Sequence, residues 1–162
     1  HDLTYQADSG LVNGLEMPAS LYADMGGSLF TTEAVLQALL LRQRPGKAHG
    51  QGVFHEVALC DASSYLALPR TWGLTVPSGD VGGAHAGYKI YPCKNGRVAV
   101  AALEPHFAVR LCEAAGLPKL ASTQMHKRST HEAIAQFLTT QTRAQLDKLA
   151  SSKDIPLHTL PR

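Results

Sequence analysis

The stretch that most constrains the fold lies just past the middle of the chain. Tyr88-Lys89-Ile90-Tyr91 and Val98-Ala99-Val100-Ala101 are two short runs rich in β-branched, aromatic and small apolar residues, with Asn95-Gly96 between them. Asn and Gly accept the positive φ angles of a type I′ turn at little steric cost, so the segment predicts an antiparallel β-hairpin. The residues that follow predict helices. Glu104-Pro105 opens one that runs to about Ala115, proline suiting the first helical turn, and Gly116-Leu117-Pro118 closes it. Ser129-Thr130-His131-Glu132 reads as a capping box ahead of Ile134, Phe137 and Leu138, and Thr142-x-x-Gln145 as a second ahead of Leu146 and Leu149. Helices around one hairpin give the chain an α/β, mixed α+β character.

The first half is less regular. Leu29, Phe30, Ala34, Val35, Leu36, Ala38, Leu39, Leu40 and Leu41 would cover most of a helix's circumference, so residues 28–43 are expected to form a buried helix stopped by Arg42-Gln43-Arg44-Pro45-Gly46. The residues before it, with Asn13-Gly14 and Met17-Pro18, predict loop with one short helix. After a loop at 45–52, Val53-Phe54-His55-Glu56-Val57 is a strand candidate, and residues 58–68 form a second apolar helix ended by Pro69. The glycines and two prolines of residues 69–87 mark a linker, with a boundary near residue 75.

Composition excludes several classes of function. The 162 residues, 44% hydrophobic and 17% charged, suffice for a normal core without disulfide staples. A net charge of +2 without a basic run argues against nucleic acid and anionic membranes. No stretch approaches the roughly 18 apolar residues of a membrane span, and no signal sequence opens the chain. Cys60, Cys93 and Cys112 are an odd set without C-x-x-C spacing, which predicts reduced thiols and a cytoplasmic location.

Taken singly, the polar residues are ambiguous. His85, His106, His126, His131 and His158 lack ligand spacing, so no metal is expected. Gly82-Gly83 lacks the strand and helix context of a dinucleotide loop, Gly46-Lys47 is not followed by Ser or Thr, and no serine sits in G-x-S-x-G. Asp24 stands before Met25-Gly26-Gly27 and a helix expected to begin at Ser28. The positive field of that helix end would keep its carboxylate ionised, as a base, a nucleophile or an ordinary cap. Glu104 reads equally as a cap, and His1 as a proton carrier or a plain surface residue.

Five blocks in order resolve the ambiguity by resemblance. His1-Asp2-Leu3-Thr4-Tyr5-x-Ala7-x-Ser9-Gly10 resembles the Gly-His-Asp-[Ile/Leu]-x-Tyr segment of α-methylacyl-CoA racemases, members of the family III (CaiB/BaiF) CoA-transferase superfamily. Ala23-Asp24-Met25-Gly26-Gly27-Ser28 is similar to the family's Asp-x-Gly-Gly, and Ala38 to Lys47 to its Ala-Leu-x-x-Arg helix exit. Gly82-Gly83-Ala84-x-x-x-Tyr88-x-x-Tyr91-x-x-x-x-Gly96-Arg97 and Val100-Ala101-Ala102-Leu103-Glu104-Pro105-x-Phe107 resemble the racemase-branch hairpin and its Glu-Pro-x-Phe end. Together the blocks cover residues 1 to 117.

The resemblance implies that residues 1–75 are part of a large domain, without its N-terminal Rossmann-like half, and that residues 76–162 form a small α+β domain and C-terminal helices. It implies an acyl-CoA substrate, no cofactor beyond the CoA moiety, and an interlocked homodimer. His1 and Asp24 would flank the α-carbon of a 2-methylacyl-CoA thioester, one removing a proton and the other delivering one to the opposite face of a planar enolate. Glu104 would orient His1, as a carboxylate serves a triad histidine. The amides of Met25, Gly26 and Gly27, at a helix start, would hold the enolate oxygen. The alternative within the family is a CoA-transferase with Asp24 as nucleophile, forming acyl-aspartyl and aspartyl-CoA intermediates. A third reading is a catalytically silent fragment or paralogue acting as a binding subunit, because nothing precedes His1 and the His1–Asp24 interval is shorter than in typical racemases.

Overall fold

The computed structural model describes residues 1–43 and 52–161, which fall into two compact units, His1–Trp72 and Gly73–Arg162. The expected stop at Arg44-Pro45-Gly46, most of the 45–52 loop and the Gly46-Lys47 pair lie outside the described residues.

The first unit is helical: α1 (Asp2–Asp8), α2 (Tyr22–Gln43), α3 (Leu59–Leu66) and α4 (Leu68–Thr71). The contact between α2 and α3 depends on two missing side chains. A Cβ on Gly26 would stand 3.0 Å from Leu66 Cδ1 and 3.3 Å from Ala62 Cβ, and one on Gly27 would stand 2.2 Å from Leu59 Cδ2. Glycine at both positions lets the two helices approach closely. Phe30 and Tyr65 extend the contact edge to face, ring centroids 5.4 Å apart.

Three expectations for this unit are corrected. The helix starts at Tyr22, not Ser28, and residues 28–43 are not buried: only Ala23, Gly26 and Gly27 are, whereas Leu29 is 70% and Leu40 63% exposed. Apolar residues on all sides of a helix suggest burial, but here the packed stripe consists of small residues. Residues 53–57 form no strand, because they have no strand partner among the described residues, and Phe54 is 90% exposed. Pro69 does not simply end a helix over 58–68. α3 stops at Leu66, and Pro69 sits in the first turn of α4, where its missing N–H costs nothing.

The second unit is α+β. Strands β1 (Tyr88–Cys93), β2 (Gly96–Ala101) and β3 (Leu157–Leu160) form an antiparallel sheet in that order, with α5 (Pro105–Ala114), α6 (Arg128–Thr140) and α7 (Arg143–Lys153) between β2 and β3 in sequence. Alternation along the strands turns Tyr91, Cys93, Val98 and Val100 into the core, where they join Leu111 and Cys112 of α5, Ile134 and Leu138 of α6 and Leu146 of α7. Each large aliphatic side chain buried there contributes roughly 1.5–3 kcal/mol. The Tyr91 hydroxyl donates to the Ala86 carbonyl at 2.8 Å, and burial pushes its pKa up to about 12.

The hairpin forms as expected, but its turn is one residue earlier. Cys93 pairs with Gly96, so Lys94 and Asn95 make the turn, and neither they nor Gly96 has a positive φ. Asn95 is used elsewhere: its Oδ1 accepts the Arg143 N–H at 2.8 Å, at the start of α7. Gly96 is required by crowding, since a Cβ there would lie 2.3 Å from the Leu160 carbonyl oxygen of β3. α5 opens at Glu104-Pro105, and beyond its end Gly116 takes φ +70° while the Leu117 N–H returns to the Cys112 carbonyl at 2.8 Å. The Thr142–Gln145 capping box is present. The one expected at Ser129–Glu132 is not. α6 begins at Arg128, and Glu132 meets Arg128 one turn back at 2.6 Å instead of reaching a cap. Among the described residues no helix is long and apolar enough to cross a membrane.

Candidate active site

α1 carries an unusual buried face. Asp2 and Gln6, one turn apart, and the half-buried Ser9 just past the helix end turn toward α2 and α3, while Leu3 is exposed. Of their side-chain polar groups only Gln6 Oε1 is buried without a hydrogen-bond partner. Ser9 Oγ and Ser63 Oγ of α3 lie 2.7 Å apart, and Ser63 Oγ also donates to the Tyr5 carbonyl at 3.2 Å. Asp2, only 8% exposed, accepts the Ala23 N–H at 2.9 Å and the Asp24 N–H at 3.1 Å on Oδ1, and the Gln6 side-chain amide at 2.5 Å on Oδ2. The same Gln6 amide donates to the Ser20 carbonyl at 3.0 Å.

The cap of α2 therefore comes from another helix. Two of the N–H groups that a helix start leaves without partners bond to a carboxylate distant in sequence. This clasp ties the start of α1, headed by His1, to the start of α2, which carries Asp24 in its first turn. Both His1 and Asp24 are exposed. Asp2, by contrast, spends its carboxylate on three hydrogen bonds and has a structural task. Beside the clasp, Asp2, Leu3 and Gln6 of α1 and residues 17–21 line a cavity of about 300 Å³.

The remaining expected site residues divide in two ways. Asp24 does not precede its helix but lies within it, so Met25, Gly26 and Gly27 fall past the helix start. The Met25 N–H already donates to the Leu21 carbonyl at 2.9 Å, and Gly26 and Gly27 are buried interior positions serving the contact with α3. The amides left over at a helix N-terminus are the first few, and here those of Ala23 and Asp24 are held by Asp2. The expectation that Met25, Gly26 and Gly27 bind an enolate oxygen is thereby corrected. Glu104 belongs to the second unit, where it is the exposed N-cap residue of α5 and its side chain makes no capping bond.

The clasp itself escaped the reading of the sequence. Its signal is polar side chains repeating at helical spacing ahead of a helix that lacks a cap of its own.

The fold is similar to that of three solved structures of Rv3272 from Mycobacterium tuberculosis. A point mutant shares 17% identity at a TM-score of 0.75, covering 100% of this chain and 46% of that one. An orthorhombic form shares 18% at 0.75, covering 97% and 45%. A third, described as a hypothetical protein, shares 18% at 0.74, covering 97% and 46%. The chain thus spans less than half the length of these proteins. The sequence profile of CoA-transferase family III matches residues 1–161, and the chain belongs to that family.

Proposed function

We propose that the chain contributes the reacting groups for racemisation of a 2-methylacyl-CoA thioester by two-base proton transfer. The observation that carries this reading is the Asp2 clasp, which fastens the Asp24 N–H to the residue next to His1. One of His1 and Asp24 removes the α-proton, leaving an enolate conjugated with the thioester. The conjugate acid of the other delivers a proton to the opposite face. No atom is gained or lost, and exchange with water restores the starting protonation states. Glu104 would orient the imidazole and stabilise its charged form. An interlocked homodimer would complete the site from a longer chain.

A second reading rests on the exposure of Asp24 in a first helical turn, where a carboxylate can act without an opposed imidazole. In that CoA-transferase reading, Asp24 attacks the thioester carbonyl and expels CoA thiolate. The thiolate then converts the acyl-aspartyl anhydride to an aspartyl-CoA thioester and a free acid, and an acceptor acid takes the CoA.

Incubation with a 2-methylacyl-CoA in deuterated water separates the two. Racemisation incorporates deuterium at the α-carbon without any acceptor acid, and His1→Gln and Asp24→Asn each reduce uptake about 10²- to 10⁴-fold. No uptake alone, with CoA exchange once an acceptor acid is added, refutes racemisation in favour of transfer. If neither occurs while the chain binds CoA in calorimetry, a silent binding subunit remains.

A further inference from the structure

The second unit holds a group of side chains that the proposed reaction does not use. The segment from Asp80 to Gly87, rich in glycine, runs into β1 and is fastened by three histidines. His126 Nε2 lies 2.6 Å from Asp80 Oδ1, His131 Nε2 lies 2.9 Å from the Ala84 carbonyl, and the Gly87 N–H donates to His85 Nδ1 at 3.1 Å. The His85 and His126 rings meet edge to face, 5.6 Å between centroids. The Ala86 N–H adds a backbone bond to the Met125 carbonyl at 2.9 Å. The same segment forms one wall of a cavity of about 630 Å³. Val81, Gly82 and Gly83 line it together with Tyr88, Ile90 and Ala99, on the side of the sheet away from the core.

The three bonds respond differently to a proton. His131 donates to a carbonyl whether charged or neutral, and the exposed His126–Asp80 pair gains attraction when His126 is protonated. His85 behaves in the opposite way. Its Nδ1 accepts from a backbone N–H, so a proton on that nitrogen would set donor against donor. The ring is only 9% exposed. Burial lowers its pKa from the ordinary value of 6.5, helped by His126 from the turn before α6 and by His131 from α6, while Asp80 opposes them from the other end of the segment. A proton on His85 Nδ1 therefore breaks the bond at Gly87 while the bonds of His126 and His131 hold.

We propose that His85 is a proton-operated latch at the β1 end of the Asp80–Gly87 segment, closed near neutral pH, and that acidification frees Ala86 and Gly87 while His126 and His131 keep the Asp80–Ala84 part in place.

Backbone hydrogen exchange, corrected for intrinsic rates, tests this between pH 7.5 and 5. Protection at Ala86 and Gly87 is expected to fall by up to tenfold for each pH unit between 6.5 and the lower value of the folded chain, with Ala84, Val98 and Val100 unchanged. In His85→Asn an amide oxygen replaces the accepting nitrogen without titrating, and the loss disappears. Unchanged protection in the native chain, or the same loss in His85→Asn, overturns the latch. Should that variant fail to fold, the titration of His85 in the native chain followed by nuclear magnetic resonance decides: a midpoint well below 6.5 supports the proposal, and one at or above 6.5 refutes it.

Discussion

Replacing Asp2 tests the clasp most directly. Asp2→Ala removes the acceptor for the Ala23 and Asp24 amides and for the Gln6 amide. Losing an N-cap costs about 1–2 kcal/mol. Losing a hydrogen bond to a buried charged group costs about 1.5–3 kcal/mol, although Gln6 keeps its bond to Ser20 and softens that loss. The two costs overlap, and a total of about 3 kcal/mol is expected, a large part of a typical stability of about 5–15 kcal/mol. Asp2→Asn retains an oxygen for the two α2 amides but sets its own NH₂ against that of Gln6, so it should cost about 1 kcal/mol. Urea unfolding followed by far-ultraviolet circular dichroism reads the totals. Hydrogen exchange at Ala23 and Asp24 reads the site itself, accelerated about a hundredfold in Asp2→Ala, since about 1.4 kcal/mol is tenfold. The reasoning fails if Asp2→Ala lies within about 0.5 kcal/mol of the native chain, or if Asn costs as much as Ala.

Gly96→Ala places a methyl group 2.3 Å from the Leu160 carbonyl oxygen and should destabilise the second unit by about 1–3 kcal/mol in urea titrations, with exchange at the β2–β3 bonds accelerating first. Thr142→Ala should lower stability by about 1 kcal/mol, and Ser129→Ala, an exposed position within α6, by less than about 0.5 kcal/mol; equal losses would contradict the observed caps. Because the folded chain raises the Tyr91 pKa, that residue's stabilisation is complete below pH 10 and is lost as pH climbs through about 12. Phenolate absorbance and ellipticity should therefore change together over that interval, and in Tyr91→Phe the alkaline transition loses this contribution.

What the sequence made legible followed from local rules. The hairpin, α5 and the Thr142 box depend on residues within a few positions of each other, so turn and cap chemistry found them. Several of the misreadings share one cause, a partner distant in sequence. Asn95 and Gly96 suggested a turn by composition, but their tasks are set by Arg143 and Leu160, about fifty and sixty residues away. β3 carries little strand signal of its own and exists because β2 offers it an edge. α1 was hardest to see, because its packed face is polar at Asp2, Gln6 and Ser9 and a rule that seeks apolar periodicity assigns such a face to solvent. The candidate site had the same difficulty: resemblance supplied His1, Asp24 and Glu104, while the residue that sets the first two relative to each other, Asp2, is visible only in its contacts with α2.

A division of labour within the motifs narrows which residues are available for chemistry. In His1-Asp2 the carboxylate is spent on capping α2, and in Asp24-Met25-Gly26-Gly27 the glycines are spent on the approach to α3. In Glu104-Pro105 the proline starts α5, while the glutamate caps nothing with its side chain. Subtracting these structural tasks leaves His1, Asp24 and Glu104, each exposed and each at the N-cap or in the first turn of a helix, where the positive end of the helix favours negative charge. That setting suits two carboxylates and a group facing an enolate better than it suits a cation held permanently. A proton-carrying imidazole needs a carboxylate to hold the charge it acquires. The role proposed for Glu104 meets that electrostatic requirement, so Glu104→Gln should impair steps that require imidazolium more than those that begin from neutral imidazole, a difference that comparing rates from the two substrate enantiomers would expose.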